Sequence, residues 1–224
     1  MNLVFDSSFA VMVRTPKIPA RLETEAVIKS EPMLFSSSLE FARRAGGELT
    51  QAFLDRVPES WKESDFQNPV VIDSRSHMLM PGWYPCIPGW HLDDVPRTRP
   101  DGQPDHVNPI YEAEHIACVV GDCSLSSFLM GRVELPDIPV GAGVVYDYWN
   151  RMIDCYLKNK LVTETQIQSR ELIHFTWKSF HRGTAATRNG WRWFIRASRS
   201  THRPIRDEIR QQVQAYPSDL MGGW

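Results

Sequence analysis

The spacing of apolar residues changes along the chain. Between residues 69 and 198, short runs rich in β-branched and aromatic residues alternate with stretches rich in Pro, Gly and Asp, which is the pattern of an antiparallel β domain. The clearest runs are VVIDSRSHMLM, HIACVVGDCSLSSFLMGRVEL and RELIHFTWKSFH. We therefore predict a β core over residues 69–198.

Helical spacing appears before this core. Ser37 and Glu40 have the Ser-x-x-Glu spacing of a capping box, and the apolar residues behind them recur every three or four positions. The pattern predicts a helix over residues 37–57, weakest at Gly46-Gly47. Residues 1–36 show no firm periodicity, and we expect an extended arm there that is able to pair with a sheet.

Two later segments also have helical spacing. Apolar residues from Val145 to Tyr156 predict a helical insertion in the β core near residues 144–159. Pro204 sits where a first helical turn would begin, and the apolar residues behind it recur every three or four positions. This second pattern predicts a short, amphipathic C-terminal helix.

The length fits one domain. At 224 residues the chain can bury a full hydrophobic core, and all-β domains often reach this length undivided. We expect a single domain over residues 1–224, built in three parts. The parts are an N-terminal arm and helix (1–68), the β core (69–198), and a C-terminal helix and tail (199–224).

Composition is that of a soluble globular protein. Apolar residues make up 42% and charged residues 23%, so neither disorder nor a fibrous architecture is indicated. The four cysteines form no CxxC pair, the start lacks the features of a secretory signal, and no apolar run approaches the roughly 18 residues of a membrane span. We expect a cytoplasmic protein with reduced thiols that does not insert into membranes.

Charge is distributed unevenly. Residues 170–210 hold ten Lys and Arg against three Asp and Glu, although the whole chain has a net charge of −2. A block of arginines can bind an anionic ligand through forked hydrogen bonds, or it can form a solvated face. The block is therefore compatible with an anionic ligand and does not require one.

Candidate chemistry begins at PGWHLDD, residues 88–94, where one residue separates His91 from Asp93. These side chains offer nitrogen and oxygen ligands to a metal, although a histidine beside a surface turn would have the same sequence. Asp94 could take the place of Asp93, but the two point to opposite faces of an extended chain.

A second histidine, His181, gives His91 a partner. If residues 172–181 form one strand, Ile173, Phe175 and His181 share a face, and His174 lies on the opposite, solvated face. His181 then ends an apolar row. That position suits either a buried histidine bound to a neighbour or a metal ligand that faces a cavity.

The next predicted strand carries two arginines on one face. Arg192 and Arg196 alternate with apolar residues of the other face: Trp191, Trp193 and Ile195. A guanidinium is costly to bury without a partner, but it is well suited to a dicarboxylate ligand. The arginine face is therefore either exposed to solvent or directed into a cavity that binds an anion.

The order His91-x-Asp93, His181, Arg192 resembles that of the Fe(II)- and 2-oxoglutarate-dependent oxygenase superfamily. Within it, the phytanoyl-CoA hydroxylase-like group is the most similar. The motifs that carry the likeness are WHLD at residues 90–93 and, after His181, GWR at residues 190–192. The resemblance covers roughly residues 70–198.

The resemblance implies a mainly β fold with flanking helices, namely a double-stranded β-helix of the jelly-roll, cupin-like kind. It places His181 in the smaller of two sheets and Arg192 in the larger one, which is backed by helices. Trp191, Trp193 and Ile195 would then pack under the helix of residues 37–57, and the arginines would face the cavity.

The resemblance also implies a function. His91, Asp93 and His181 would bind Fe(II) and leave three adjacent positions open for a bidentate 2-oxo acid and dioxygen. Arg192 would bind the distal carboxylate of 2-oxoglutarate, and Arg196 is an alternative or second anchor. The implied activity couples decarboxylation of 2-oxoglutarate to succinate with hydroxylation of a substrate.

Two neighbouring segments bear on the ligands. A hydroxyl from the CSLSSF run is expected to assist Arg192, and the candidates are Ser124, Ser126 and Ser127. We expect the loop of residues 96–109 at the mouth of the cavity. Four arginines would then favour a small, negatively charged substrate: Arg97, Arg99, Arg182 and Arg188.

Other interpretations stay open. The scaffold could bind a ligand or a nucleic acid without catalysis, with its arginines and tryptophans as a stacking surface, although nucleic acid is not indicated. A cupin-like metalloenzyme could use the metal without 2-oxoglutarate. Zinc ligation by Cys86 with His91, or by Cys118 and Cys123 with His115, fits no standard spacing. The sequence does not indicate an oligomeric state.

Overall fold

Antiparallel β-sheets and a few helices make up the computed structural model, which describes residues 2–63, 69–107, 112–200 and 203–217. The strands are β1 (Asn2–Ser7), β2 (Phe9–Val11), β3 (Leu34–Phe35), β4 (Val70–Leu79), β5 (Ala113–Val120), β6 (Ser126–Pro136), β7 (Thr163–Gln166), β8 (Leu172–Thr176), β9 (His181–Gly183), β10 (Gly190–Ser200) and β11 (Glu208–Ile209). The α-helices are α1 (Glu25–Ser30), α2 (Leu39–Ala45), α3 (Glu48–Leu54), α4 (Glu59–Lys62) and α5 (Val145–Lys158).

Two sheets dominate the structure. The larger sheet has five strands in the order β2-β8-β5-β10-β4, and the smaller sheet has the order β1-β6-β7, with β9 also paired to β6. Neighbouring strands run antiparallel in both sheets. The prediction of a mainly β fold with flanking helices is confirmed.

Apolar side chains cover the outer face of the larger sheet and part of its inner face. On its outer face, Trp193 and Ile195 of β10 belong to one buried cluster with Leu49 and Phe53 of α3. This is the packing that the sequence predicted for the tryptophan face. On the inner face, residues of β5 and β8 form a second cluster with Phe128 of the smaller sheet. Alternate residues of β5 and β8 thus belong to different apolar layers.

Helix α5 covers the other face of the smaller sheet. Its buried residues, including Trp149 and Ile153, pack in one cluster with Leu129 and Val133 of β6. The helix lies where the sequence predicted a helical insertion. No helix in the described ranges is long and apolar enough to cross a bilayer.

The predicted helix of residues 37–57 is interrupted. Helix α2 ends at Ala45 and α3 begins at Glu48, so the break falls at Gly46-Gly47. The carboxylate of Glu31 accepts hydrogen bonds from the backbone N–H of Leu49 at 2.5 Å and from the Thr50 hydroxyl at 2.8 Å. A Cβ at position 47 would lie 2.6 Å from Glu31 Oε1. The glycine therefore allows Glu31 to cap α3.

The N-terminal arm pairs with both sheets. Strand β1 pairs with β6 of the smaller sheet, and β2 pairs with β8 of the larger one. The arm therefore bridges the two sheets, as an extended segment able to pair would do. It contains more structure than the sequence predicted, because α1 and β3 also lie within residues 1–36.

The prediction of a single strand that runs from residue 172 to His181 is wrong. Strand β8 ends at Thr176 in the larger sheet, and β9 begins at His181 in the smaller sheet. The Ser179 hydroxyl holds the turn between them, since it accepts from the Thr176 N–H at 3.1 Å and donates to the Ser8 carbonyl at 2.6 Å. His181 does lie in the smaller sheet, but not at the end of an apolar row.

The predicted C-terminal helix is also wrong. Residues 203–217 contain no helix, and β11 pairs with β3 instead. The backbone N–H groups of Arg206 and Arg210 donate to the carbonyls of Ser36 and Met33, both at 2.7 Å. These long-range bonds occupy the groups that a helix would use, so tertiary contacts override the local periodicity.

We expect Gly121→Ala to destabilise the fold. Gly121 follows β5 with a φ of +102°, and an added Cβ would clash with the Trp191 carbonyl. The free energy of unfolding should fall by more than the ~1–2 kcal/mol of left-handed strain alone. Urea unfolding measures the loss. Gly102→Ala is the control, because a Cβ there meets open space although φ is again positive, at +69°. Equal losses in the two variants would contradict the predicted clash.

Candidate metal centre

Three predicted ligands converge between the two sheets. Ligand atoms of His91, Asp93 and His181 all lie within 4.8 Å of one another. The backbones of His91 and His181 are paired, since each N–H donates to the carbonyl of the other at 3.0 and 3.1 Å. The ring centroids lie 4.6 Å apart. Two histidines 90 positions apart in the sequence thus stand side by side.

The rings of both histidines are oriented by backbone carbonyls. Nδ1 of His91 lies 3.1 Å from the Gly89 oxygen, and Nδ1 of His181 lies 2.9 Å from the Ser179 oxygen. A carbonyl only accepts, so each Nδ1 carries the hydrogen and each Nε2 is presented as the ligand atom. Metal-binding histidines commonly have such an outer partner. Burial, and after it the neighbouring His181, lowers the pKa of His91 to about 4, so this imidazole is neutral near pH 7.

Helix α5 holds the His91 segment in place. Asn150 accepts from the Trp90 N–H at 2.6 Å and donates to the Trp90 carbonyl at 3.1 Å. The Tyr146 hydroxyl accepts from the Leu92 N–H at 3.1 Å. Together with the His91–His181 pair, these bonds fix the backbone on both sides of His91. The helical insertion therefore supports the site although it contributes no ligand.

Asp93 is the carboxylate that faces the histidines. Its Oδ2 lies 3.2 Å from His181 Nε2 and also forms an ion pair with Arg196. Burial would raise the pKa of Asp93, but its interactions with Arg196 and then His181 outweigh it and hold this pKa well below its usual range. Asp93 is therefore ionised, as a metal ligand must be.

Asp94 points elsewhere. Its backbone is left-handed, with a φ of +57°, and its carboxylate contacts Arg196 at 3.1 Å and Arg203 at 3.4 Å. The chain is not extended here, so the facing argument from sequence does not apply. The turn nevertheless separates the two carboxylates, and Asp93 alone of the pair joins the histidine cluster.

Arg192 and Arg196 face a cavity. Strands β4 and β10 pair so that His77 lies opposite Arg192, Arg75 opposite Phe194 and Asp73 opposite Arg196. All six residues line one cavity with His91, Asp93 and His181. The relative exposure of Arg192 is 4% and that of Arg196 is 8%. An arginine face exposed to solvent is thereby excluded.

The two arginines have different partners. Arg192 donates to the Ser124 carbonyl at 2.8 Å and to the Ser126 hydroxyl at 3.2 Å, and no carboxylate in the described part of the chain forms an ion pair with it. Burial lowers the pKa of Arg192 to about 10, so it stays charged near pH 7. Ser126 is thus the candidate hydroxyl beside Arg192, whereas the Ser124 hydroxyl donates to the Thr184 carbonyl.

Arg196 instead belongs to a buried ion network. It contacts Asp93, Asp94 and Asp73, and two more arginines complete the network around the same acids. Arg203 lies 2.5 Å and Arg210 3.3 Å from Asp73. Three carboxylates and three guanidinium groups balance one another here.

We expect Arg196→Met to destabilise the protein strongly. Removing one member of a buried ion network leaves its partners uncompensated, which typically costs ~3–5 kcal/mol. Urea unfolding checks this. Arg199→Met, on the same strand but with a partly exposed side chain near Glu114, should cost less than ~1 kcal/mol. Similar losses in the two variants would show that the network does not stabilise the fold.

The predicted cations of the cavity mouth are mostly elsewhere. Arg97 lines an outer cavity that is also lined by His91 and Asp93. Arg99 instead binds Asp101 at 3.0 Å, and Arg182 binds Glu164 at 2.7 Å. Arg188 binds Asp122 and lines a separate depression. Three of the four predicted cations are therefore neutralised by local acids.

Sequence reasoning missed the polar face of β4. Asp73, Arg75 and His77 share one face of β4, and the small residues Ser74 and Ser76 lie on the other. Three long polar side chains on one face of a strand are the signal that could have indicated a polar cavity. The described part of the chain yields one candidate metal cluster, formed by His91, Asp93 and His181. The zinc sets of Cys86 or of Cys118 and Cys123 do not form there.

No protein-family model matches the chain, and no curated protein matches it. Among solved structures, AviO1 from Streptomyces viridochromogenes Tue57 matches with a TM-score of 0.44 and 12% identity, over 87% of this chain and 90% of that one. The apo form of ThoJ, a non-heme monooxygenase, matches with a TM-score of 0.40 and 11% identity, over 96% and 87% of the two chains.

An N-substituted L-amino acid dioxygenase from Burkholderia ambifaria AMMD is a third match, with a TM-score of 0.36 and 14% identity, over 89% of this chain and 85% of that one. Identity and TM-score are low in all three comparisons. The likenesses therefore do not show what this chain does, and its function has to be argued from the site.

Proposed function

We propose that the chain is an Fe(II)- and 2-oxoglutarate-dependent oxygenase that hydroxylates a small molecule. One observation carries this proposal. Two imidazole nitrogens and one carboxylate converge in a cavity that also contains Arg192, a buried cation without a carboxylate partner in the described part of the chain. The imidazoles and the carboxylate suit a metal ion, and Arg192 suits an anion that binds beside this ion.

The donor set fits Fe(II). Two imidazoles and one carboxylate are the ligands of non-haem iron oxygenases, and the set contains no thiolate that would favour a structural zinc site. When bound, Fe(II) would supply the redox chemistry with 2-oxoglutarate and dioxygen. His91, Asp93 and His181 would hold it, and the carbonyls of Gly89 and Ser179 would keep both imidazoles in the ligating tautomer.

Arg192 would bind the distal carboxylate of 2-oxoglutarate. The Ser124 carbonyl and the Ser126 hydroxyl already fix its guanidinium, so little order has to be gained on binding. Arg196 is unsuited to this role because Asp73, Asp93 and Asp94 occupy it. We therefore assign the carboxylate anchor to Arg192 and a structural role to Arg196.

Aromatic side chains limit water on one side of the site. The ring of Phe128 stacks on His181 with centroids 5.3 Å apart, and the ring of Phe175 lies 5.1 Å from His181. Both rings belong to the apolar cluster between the sheets. This wall directs an incoming ligand to the opposite, polar side, where the β4 and β10 residues lie.

The proposal also assigns the fold. Two facing antiparallel sheets, with the site between them and helices outside, support a double-stranded β-helix of the jelly-roll, cupin-like kind. The distal histidine in the smaller sheet and Arg192 in the larger sheet agree with that arrangement.

A binding protein that stacks nucleic acid is less well supported. Trp90, Trp149 and Trp193 are fully buried, and Arg192 and Arg196 face inward. Neither set is available to a nucleic-acid strand. The remaining alternative, a metalloenzyme that does not use 2-oxoglutarate, differs from the proposal in a measurable way.

Calorimetry with 2-oxoglutarate separates these two functions. We expect 2-oxoglutarate to bind to the Mn(II)-loaded protein and far more weakly to the metal-free protein, because the 2-oxo acid chelates the metal. Glutarate, which lacks the 2-oxo group, is the control and should show no such dependence on the metal. If Mn(II) binds but 2-oxoglutarate affinity does not depend on it, the proposal is wrong and the second metalloenzyme function stands.

A further inference from the structure

A second cavity opens outward from the metal residues. Its volume is about 460 Å³, and its lining includes His91 and Asp93 at the inner end. Leu92, Val95 and Tyr146 form part of one wall, and residues 212–216 of the C-terminal segment form another. The volume is that of a small-molecule site. A substrate can therefore reach the metal centre from this side.

Arg75 lies where the outer and the inner cavity meet, since it lines both. It is half-buried on β4, between Asp73 and His77 on the same face. The other cations of the inner cavity have partners: Arg196, Arg203 and Arg210 bind acids, and Arg192 is held by Ser124 and Ser126. Arg75 forms neither an ion pair nor a hydrogen bond with any residue in the described ranges.

Several other cations line the inner cavity with Arg75. The positive charge of Arg75 contributes to lowering the pKa of Arg192, of Arg210 and of His77. Burial, and after it the charges of Arg192 and Arg75, lowers the pKa of His77 to about 3, so this imidazole is neutral near pH 7. A hydrogen bond to the Gln214 backbone acts in the opposite direction and is too weak to restore the protonated form.

These observations indicate two anion sites rather than one. A single 2-oxoglutarate would neutralise Arg192 at its distal end and the metal at its 2-oxo acid end. Arg75 would still lack a counter-ion, and a partly buried guanidinium without one is costly. Its position at the junction of the cavities places this second site between the metal and the outer cavity.

We propose that Arg75 binds an anionic group of the substrate. The substrate is then a small molecule with a carboxylate or phosphate, whose anion pairs with Arg75 near His77 and whose remainder occupies the outer cavity beside Leu92 and Val95. Both anions match the planar, charged fork of a guanidinium. This assignment rests on the proposed function, because it takes the metal centre as the reacting end of the cavity.

The test uses Mn(II) as a paramagnetic probe. Protein loaded with Mn(II) and 2-oxoglutarate is titrated with inorganic phosphate and, separately, with acetate, and nuclear relaxation of each anion is measured. An anion held at Arg75 lies close to the metal and relaxes faster. The titrations with phosphate and with acetate distinguish the two classes of anion. In the wild-type protein, we expect a faster nuclear relaxation rate for at least one of these anions.

Two arginine variants supply the comparison. Arg75→Met should weaken the binding of the relaxed anion at least tenfold. Arg188→Met removes the same charge from the separate depression beside Asp122 and should leave the relaxation unchanged. The proposal is overturned if neither anion is relaxed in the wild type, or if Arg75→Met and the wild type behave alike.

Failure of the proposed function would be visible separately. Electron paramagnetic resonance shows beforehand whether Mn(II) binds, and calorimetry shows whether 2-oxoglutarate binds with it. If Mn(II) does not bind, the metal centre is wrong, and ³¹P line widths of phosphate without metal still compare Arg75→Met with the wild type. Loss of broadening in Arg75→Met supports the anion site, and its persistence overturns it.

Discussion

His181→Ala abolishes tight metal binding in our account. His181 is one of three proposed ligands, and losing even an outer partner of a ligand typically costs ~10–100-fold in metal affinity. The loss of a ligand should therefore exceed this range. The protein should remain folded, because the backbone pair between His91 and His181 does not depend on the side chain. Anaerobic calorimetric titration with Fe(II) measures the metal affinity of the variant and of the wild type.

His174→Ala is the matched control for this substitution. His174 lies on β8, where its ring contacts the edge of Trp61 at a centroid distance of 6.1 Å, and it lines neither cavity at the metal residues. Its removal should leave the metal affinity within about twofold of the wild type. Undiminished metal binding by His181→Ala would remove this histidine from the ligand set.

Arg192→Met weakens 2-oxoglutarate binding about 10- to 100-fold. Hydrogen bonds to charged groups contribute ~1.5–3 kcal/mol, and methionine keeps much of the side-chain volume without the charge. The affinity for Mn(II) should stay the same, because Arg192 contacts Ser124 and Ser126 rather than a ligand. Calorimetry of the Mn(II)-loaded variant gives both values.

Arg199→Met, further along β10, is the control for charge on the same strand, since Arg199 donates to the Ser60 carbonyl away from the cavity. It should bind 2-oxoglutarate like the wild type. Equal affinities in Arg192→Met and the wild type would contradict the assignment of the anchor. Arg196→Met cannot replace this comparison, because its expected effect is on folding.

The sequence predicts the residues of the site better than the path of the chain between them. His91 and Asp93 of WHLD, His181 and Arg192 belong to local patterns, and the structure brings these four residues to one cavity. The alternation in β10 correctly separated Arg192 from Trp193, because a strand has only two faces. The structure shows that the arginine face lines the cavity and that Trp193 packs in the apolar cluster on the other face.

The path from β8 to β9 could not be predicted in the same way. Alternating residues look alike whether a strand continues or the chain changes sheets. The change is made by the Ser179 hydroxyl, which binds Thr176 and the distant Ser8. A partner 171 positions away leaves no trace in a local pattern.

The prediction of a C-terminal helix was wrong for a related reason. Ile205, Ile209 and Val213 have helical spacing, but Arg203 and Arg210 bind Asp73 on β4 and draw the segment across the cavity in an extended form. The same contacts bring residues 212–216 to the cavity wall. Long-range ion pairs outweigh local helix propensity here.

The sequence did not single out Arg75 as a binding residue, because its distinguishing feature is that it has no ion-pair partner in the described part of the chain. The arginine block at residues 170–210 drew the prediction of cavity cations to Arg182 and Arg188, and both bind acids that the sequence does not place beside them. An arginine without a partner can be recognised only once the positions of all the nearby acids are known.

A crystal structure of the protein prepared anaerobically with Fe(II) and 2-oxoglutarate would show whether the proposed residues bind the metal and the cosubstrate. We predict one metal ion with the Nε2 atoms of His91 and His181 and a carboxylate oxygen of Asp93 at about 2.0–2.2 Å, the range for such ligands. The 2-oxo acid end should lie on the metal, and the distal carboxylate on Arg192. A metal bound elsewhere, or 2-oxoglutarate with its distal carboxylate away from Arg192, would contradict the account.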